Sequence, residues 1–459
     1  MDCCSRRDFI KYALAGASWL ALPANPYCAD GGNPKPNIVL IVADDLGYGD
    51  IGCFGNRANR TPNLDRLAAE GMRFTDFHSN GPVCSPTRAA LLTGRYQQRM
   101  GIETALGEGH QVPWPKNVTT VADRLREAGY ATGAFGKWHL GMKEHPLDHG
   151  FETYAGNMHG GVDYISHVDR YGNVDWWQDR NVRNEQGFNT TLVTHHSVRF
   201  IKEHKAGPFF LYVPYSAIHF PWMTPDDEAY RKEGERYTDL SKLGPHRSGR
   251  LQPVVRRMIE ELDRGVGRIM ATLRECNLKE RTLVWFISDN GGYLDYGGRY
   301  RDEISNNGPL CGQKGSLYEG GHRVPAIASW PGRVKAGCDT HEVATTMDLM
   351  PTFLELAGLE LPQSDVYNAL DGISLTDLLL KGKPLSKRIL FWRCGRQRAV
   401  RKGPWKLIRH GSRDPELYNL AADVGERRNL ADSNPRLLRQ LLSALDEWEA
   451  DIDDSDDGL

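Results

Sequence analysis

Asn37-Ile38-Val39-Leu40-Ile41-Val42-Ala43 carries no polar residue after Asn37, and Asp44-Asp45 follows it directly. A strand with one wet face alternates polar and apolar; an unbroken run belongs to a strand covered on both faces. Thr282-Leu283-Val284-Trp285-Phe286-Ile287-Ser288 has the same character and ends in Asp289-Asn290-Gly291-Gly292. Helical and strand patterns take turns around these two runs. Thr61-Pro62 opens a helix closed by Gly71, and 73–77 reads as a strand. Thr119 caps a helix over 121–128 that Gly129 stops, and a strand over 131–135 follows. Further helices are expected over 191–204, 254–275 and 346–356, and further strands over 208–213 and 324–330. Repeated β-α-β order predicts an α/β fold, a mainly parallel sheet between helices.

The pattern changes near residue 360. Segments 389–393, 398–400 and 405–408 read as short antiparallel strands with a Lys402-Gly403-Pro404 turn, and 435–449 as a closing helix. The expected organisation is a main α/β domain over 36–375, a small α+β subdomain over 380–450, and a frayed acidic tail over 451–459. Residues 1–29 read as a signal peptide. Arg6-Arg7 precede an apolar run over 12–22 that is far shorter than the ~20 residues of a membrane span. Paired arginines point to twin-arginine export, hence a periplasmic or secreted protein. No later stretch is long and apolar enough to span a membrane.

The composition of the 459-residue chain is that of an ordinary globular protein, 40% hydrophobic and 25% charged. Fifty-seven basic against 59 acidic residues give a net charge of -2, which excludes a dedicated nucleic-acid binder and leaves an anionic substrate to a local cluster. The 9 cysteines show no CxxC or zinc spacing and no disulfide scaffold.

Open α/β sheets bind ligands beyond the carboxyl ends of their strands. Four predicted strands deliver polar residues there: Asp44-Asp45, Asp289-Asn290, Gly136-Lys137-Trp138-His139, and Tyr215-Ser216 with His219. Asp44, Asp45, Asp289 and Asn290 are hard oxygen donors, suited to calcium or magnesium rather than zinc. Cys84-Ser85-Pro86-Thr87-Arg88 places a cysteine just before a helix N-terminus, where partial positive charge favours an anion, with Arg88 one turn on. A structural cysteine and a thiolate nucleophile both fit that position.

Cys84-Ser85-Pro86-Thr87-Arg88 with Leu92-Thr93-Gly94-Arg95 resembles the signature of the type I sulfatases, in the alkaline phosphatase superfamily. Asp44-Asp45 and Asp289-Asn290-Gly291 are similar to that family's two metal pairs. Gly136-Lys137-Trp138-His139-Leu140-Gly141, His219 with Pro221, and Gly312-Gln313-Lys314-Gly315 with Glu319-Gly320-Gly321 match further blocks in order. The resemblance runs from about residue 36 to residue 430, including Arg401-Lys402-Gly403-Pro404-Trp405-Lys406-Leu407 and Glu416-Leu417-Tyr418-Asn419-Leu420. It implies that Cys84 is converted by a maturation enzyme to Cα-formylglycine, hydrated to a geminal diol, and that one calcium ion is held by Asp44, Asp45, Asp289, Asn290 and residue 84. One hydroxyl would attack sulfur. Arg88 and Lys137 would hold the diol, Lys314 and His219 would contact the sulfate and assist the departing alcohol, and His139 would take the proton from the second hydroxyl as sulfate is expelled.

Segments 158–181, 222–251 and 293–307 should line the pocket mouth. Their mix of aromatic and charged residues, among them Tyr164, Arg170, Trp176, Trp177, Tyr296, Arg299 and Arg301, suits a sugar. A sulfated carbohydrate is therefore the expected natural substrate, with aryl sulfates as small artificial ones. A phosphate mono- or diester hydrolase with the same modified nucleophile, and a non-catalytic binder of sulfated glycans, are the alternatives.

Overall fold

The first predicted strand, β1 (Asn37–Ala43), is buried along its whole length. Its side chains alternate between two cores: Ile38, Leu40 and Val42 enter one, Val39, Ile41 and Ala43 the other. That is why no polar residue interrupts the run. The structure is a computed structural model, and it describes residues 35–107, 112–115, 117–239, 244–246, 249–296, 300, 304–362 and 369–454. The expected signal peptide over 1–29, Arg299, Arg301 and residues 455–459 of the acidic tail lie outside the described residues.

The next strands are β2 (Met72–Phe74), β3 (Phe77–His78), β4 (Ala131–Phe135), β5 (Thr153–Gly156), β6 (Trp177–Gln178), β7 (Asn181–Val182) and β8 (Phe209–Pro214). They are followed by β9 (Thr282–Ser288), β10 (Ala326–Ser329), β11 (Cys338–Thr340) and β12 (Ala344–Thr345). Among the described residues, 10 strands form one sheet in the order β11-β2-β10-β9-β1-β8-β4-β5-β6-β7. From β9 through β1, β8 and β4 to β5 every pair is parallel. β10 runs antiparallel to both its neighbours. Among its described residues the chain from β9 to β10 carries no crossover helix across the sheet, only loops and the short helix Glu319–His322, so β10 re-enters from the edge that β9 left. Helices Pro62–Ala69, Asn189–Glu203 and Leu251–Glu275 fill one face; Cys84–Thr93, Val121–Glu127 and Leu349–Leu356 fill the other.

Two local expectations shift. Thr120, not Thr119, caps the helix Val121–Glu127, because only Thr120 has an acid three residues on: its hydroxyl accepts from Asp123 N and the Asp123 carboxylate accepts in return. Cys84 is the first residue of its helix rather than the residue before it, with Val83 as the extended cap.

β13 (Ile389–Cys394), β14 (Gln397–Lys402), β15 (Trp405–His410) and β16 (Glu416–Asn419) form a separate antiparallel sheet in chain order. The helix Pro435–Asp454 supplies Leu441, Leu445, Trp448 and Ile452 to its core, and Ala90, Tyr96, Leu317 and Met347 join from the main layers. Each fully buried Leu, Ile or Met among these contributes about 1.5–3 kcal/mol of transfer free energy. The tail over 451–454 is not frayed: it continues the helix, with Asp451 at 2.6 Å from Arg99 and Asp453 at 2.7 Å from Arg393. Those arginines offset acids that the helix dipole disfavours at a C-terminus. The six described cysteines are free, and among the described residues no helix is long and apolar enough to cross a membrane.

Candidate active site

β1 and β9 lie side by side and end together, with Ala43 opposite Ser288, so Asp44-Asp45 and Asp289-Asn290 leave the sheet at the same level. β8 pairs with β1 on its other side and leads to His219; β4 pairs with β8 and leads to Lys137 and His139. At the exit of β4, Gly136 has φ +129°, and a Cβ there would sit 2.0 Å from the Pro214 carbonyl oxygen. Only glycine permits that approach, and it lets Lys137 N–H donate to the same carbonyl at 2.7 Å. Asp45 and His139 both hold left-handed backbone, φ 63° and 55°, conformations that cost a non-glycine residue free energy and cluster at functional sites.

The catalytic and metal-binding candidates read from the sequence meet here, whereas Trp176, expected at the pocket mouth, is buried in a core and Trp177 packs against one. Ligand atoms of Asp44, Asp45, Cys84 and Asp289 lie within 4.8 Å of one another, and all four residues are buried. Cys84 Sγ is 3.4 Å from Asp44 Oδ1, 3.4 Å from Lys137 Nζ and 3.3 Å from Lys314 Nζ. Lys137 and Lys314 also donate at 2.5 Å to Asp44 and Asp45 respectively. Arg88 is committed to Asp289 Oδ2 at 2.7 Å and to the Lys137 carbonyl at 2.7 Å, rather than to the cysteine. Asn290 Nδ2 donates to Asp45 at 2.8 Å. His219 Nε2 stands 4.0 Å from Asp45 Oδ2, while its Nδ1 is hydrogen-bonded to the Phe220 carbonyl at 2.7 Å. His139 Nε2 donates to the Leu106 carbonyl at 2.7 Å, which leaves its buried Nδ1 as an acceptor without a partner.

The electrostatics follow from burial. Burial and the Asp289 charge push the Asp44 carboxyl up to about 7. Burial raises Asp45 too, but the Lys314 charge, with its hydrogen bond, outweighs it and holds that carboxyl well below its usual range. Burial and the Asp44 charge push the Cys84 thiol up to about 12, so an unmodified thiol here is protonated at neutral pH. Burial, reinforced by Lys137, keeps both His139 and His219 neutral, well below the usual imidazole value.

The donor set fits a hard divalent cation. Three carboxylates are packed within coordination range of one another, and the Asn290 side-chain oxygen is buried without a hydrogen-bond partner. A buried amide oxygen without a hydrogen-bond donor is costly unless a cation takes it as a ligand.

Sequence reasoning missed three supports. Gly160 and Gly161 press against the two histidines: a Cβ at Gly160 would lie 2.6 Å from His139 Nε2, and one at Gly161 2.9 Å from His219 Nδ1. The Gly-Gly doublet was the available signal. The Leu106 carbonyl orients His139, and backbone acceptors leave no trace in a sequence. Gln397 on β14 brackets the Lys314 loop, donating to the Gly315 carbonyl at 2.9 Å and accepting from Leu317 N–H at 3.1 Å.

A mainly parallel sheet thus gathers carboxylates, lysines, histidines and one cysteine at the carboxyl edge of its strands. The Sulfatase family model matches residues 36–359, and the model for N-sulphoglucosamine sulphohydrolase, C-terminal, matches residues 313–450. The chain belongs to the sulfatase family and is an enzyme of that class. It is 37% identical over 411 residues to N-acetylgalactosamine-6-sulfatase of Sus scrofa, covering 84% of this chain and 74% of that one. It is 33% identical over 485 residues to arylsulfatase A of Homo sapiens, covering 91% and 88%. The solved structure of Ps i-CgsB in complex with k-i-k-neocarrahexaose superposes with a TM-score of 0.79 at 32% identity, covering 90% of this chain and 92% of that one. The expected fold, a mainly parallel sheet between helices with a small antiparallel appendage, is the observed one.

Proposed function

We propose that the protein hydrolyses sulfate monoesters of a sulfated carbohydrate, using Cys84 matured to Cα-formylglycine and a calcium ion. The observation that carries the reading is the position of Cys84 Sγ, within 3.4 Å of Asp44, Lys137 and Lys314 at once. The carbohydrate follows from the relatives: one is named for N-acetylgalactosamine-6-sulfate and a solved structure holds neocarrahexaose.

Asp44, Asp45, Asp289 and Asn290 would hold the calcium, which would supply charge neutralisation and Lewis-acid polarisation at the site. The matured side chain supplies two geminal hydroxyls, one to attack sulfur and one to expel sulfate, so no water attacks sulfur a second time. Lys137 holds the nucleophile, and Arg88 fixes both Asp289 and the Lys137 backbone. Lys314 donates to the sulfuryl oxygens, where negative charge develops. His219 presents Nε2, its acceptor nitrogen, to the site, and would assist departure by relaying to the leaving oxygen the proton that the attacking hydroxyl gives up. His139 receives the second hydroxyl's proton at Nδ1, its free acceptor. Export through the Arg6-Arg7 leader to the periplasm or beyond, and a formylglycine-generating maturation enzyme as partner, belong to the same proposal.

The test is a sulfate-release screen of mature enzyme over defined sulfated sugars, with phosphate esters in parallel. Sulfate release, an aldehyde in the Cys84 peptide by mass spectrometry, and loss of activity to EGTA restored by calcium are expected. Full activity with an unmodified thiol would overturn the nucleophile assignment, and full activity after exhaustive chelation would remove the metal. Phosphate release alone would favour the phosphoesterase.

A further inference from the structure

The cavity that reaches Lys314, His139 and His219 has a volume of about 290 Å³. Among the described residues that line it, none is Asp or Glu, while Arg170 and Arg231 join Lys314 as permanent cations. Arg231 is the unusual one. It is 1% exposed, and among the described residues no carboxylate forms an ion pair with it, Asp163 and Asp169 attracting it only from further off. Its Nη1 donates only to the Gly161 and Val168 carbonyls, at 3.2 and 3.4 Å, and its buried Nε has no partner. A buried guanidinium without an anion is a costly arrangement for stability alone.

The nearby carboxylates are already engaged behind the cavity wall. Asp163 accepts from the backbone N–H groups of Ile165, Ser166, Tyr230 and Arg231. Asp169 accepts from Tyr171 and Asn173 and lies 3.1 Å from His159 Nδ1. Arg170 is stacked on Tyr171 with its centre 5.7 Å from the ring, and its Nε is also buried without a partner. Beside these cations, Tyr293 and Tyr296 stack with centroids 4.5 Å apart, and Tyr296 holds a positive φ of 46°. Aromatic faces and guanidinium forks in one cavity suit a sugar ring bearing an acidic group.

We propose that Arg170 and Arg231 form a subsite for a second anionic group, so that the ester cut at Cys84 belongs to a sugar carrying a further sulfate or a carboxylate. This rests on the sulfatase reading and narrows its substrate class. A planar guanidinium binds either oxyanion bidentately, so the two sources share one recognition chemistry.

The experiment compares mature enzyme on four esters: a neutral hexose monosulfate, the same hexose with a second sulfate, the monosulfated hexose joined to a uronic acid, and an aryl sulfate. The wild type should favour at least one doubly anionic sugar over the neutral one in kcat/KM by about tenfold or more, the size of one charge-assisted hydrogen bond. Arg170→Gln should reduce that ratio by about as much, chiefly through KM, and Arg231→Lys should reduce it as well. Preference confined to the disulfated or to the uronate arm assigns the group. If Arg231→Lys fails to fold, Arg170→Gln alone decides. Aryl sulfate turnover without any preference among the sugars, or a ratio unchanged in Arg170→Gln, overturns the subsite and leaves the sulfatase reading standing. No sulfate release from any ester overturns both.

Discussion

Two buried clusters in this molecule have the same charge inventory and opposite characters. At the sheet edge, Asp44, Asp45 and Asp289 face Arg88, Lys137 and Lys314. Between the main layers and the C-terminal sheet, Asp76, Glu319 and Glu426 face Arg323, Arg401 and Lys406. Even the metal-ligand geometry recurs, since His78, Glu319 and His322 also bring ligand atoms within 4.8 Å. In the second cluster acceptors and donors satisfy each other except at Glu426 Oε1, which has the Lys406 charge at 2.8 Å but no hydrogen bond. Glu319 accepts Lys406 at 2.9 Å on one oxygen and Arg323 at 3.2 Å on the other; Asp76 accepts Arg401 on both, at 2.7 Å, and lies 2.8 Å from His78. In the first, Asn290 Oδ1 and His139 Nδ1 are buried without partners, and His139, His219 and Lys314 open on a cavity. Charge count therefore does not separate a reaction site from a structural seam. Unspent coordination beside a cavity does.

That contrast breaks most sharply at Cys84. Cys84→Ala should abolish sulfate release while the thermal midpoint stays close to wild type, measured on one preparation by turnover assay and calorimetry. In the seam the order reverses. Lys406→Met leaves Glu319 and Glu426 buried without their shared cation, and it should cost about 3–5 kcal/mol of stability in denaturant unfolding. A seam that tolerated the change would be a surface-like pair after all. Returning to the sheet edge, Lys314→Ala should lower kcat on the order of 10²–10³, as for loss of one preorganised donor to developing negative charge. An unchanged kcat would mean that Lys314 serves only Asp45.

The same contrast explains what could be read from the chain. β1 and β9 were legible because both faces of each are buried, so their runs are apolar throughout. The site was legible because its carboxylates follow those runs directly. The antiparallel course of β10 was not, since strand direction is set by where the connection returns. β16 was missed because Glu416 and Asn419 at its ends are half-buried polar residues, and only Leu417 and Tyr418 between them are buried. The seam was invisible for a related reason. Arg401 and Lys406 belong to strands whose sequence reads as a wet edge, and only the docking of the C-terminal sheet buries them.

The smallest effect sharpens the comparison furthest, because it tests the seam's one imperfection. Burial pushes the Glu426 carboxyl up from its usual 4.5 to about 7, with the Glu319 charge adding to it and Lys406 opposing. The folded chain then holds a proton there that the unfolded chain releases near 4.5. Its contribution to stability is full below that value and is lost as pH rises through about 7. Glu426→Gln keeps an acceptor for the Glu319 N–H, which the carboxylate now takes at 2.6 Å, and removes the titration. The difference in thermal midpoint between wild type and this variant should therefore move in favour of the variant as pH climbs from about 4.5 to about 7, and level off above. A difference that stays flat across that window would mean that Lys406 keeps Glu426 ionised throughout. The seam would then be as fully paired at Glu426 as it is at Asp76.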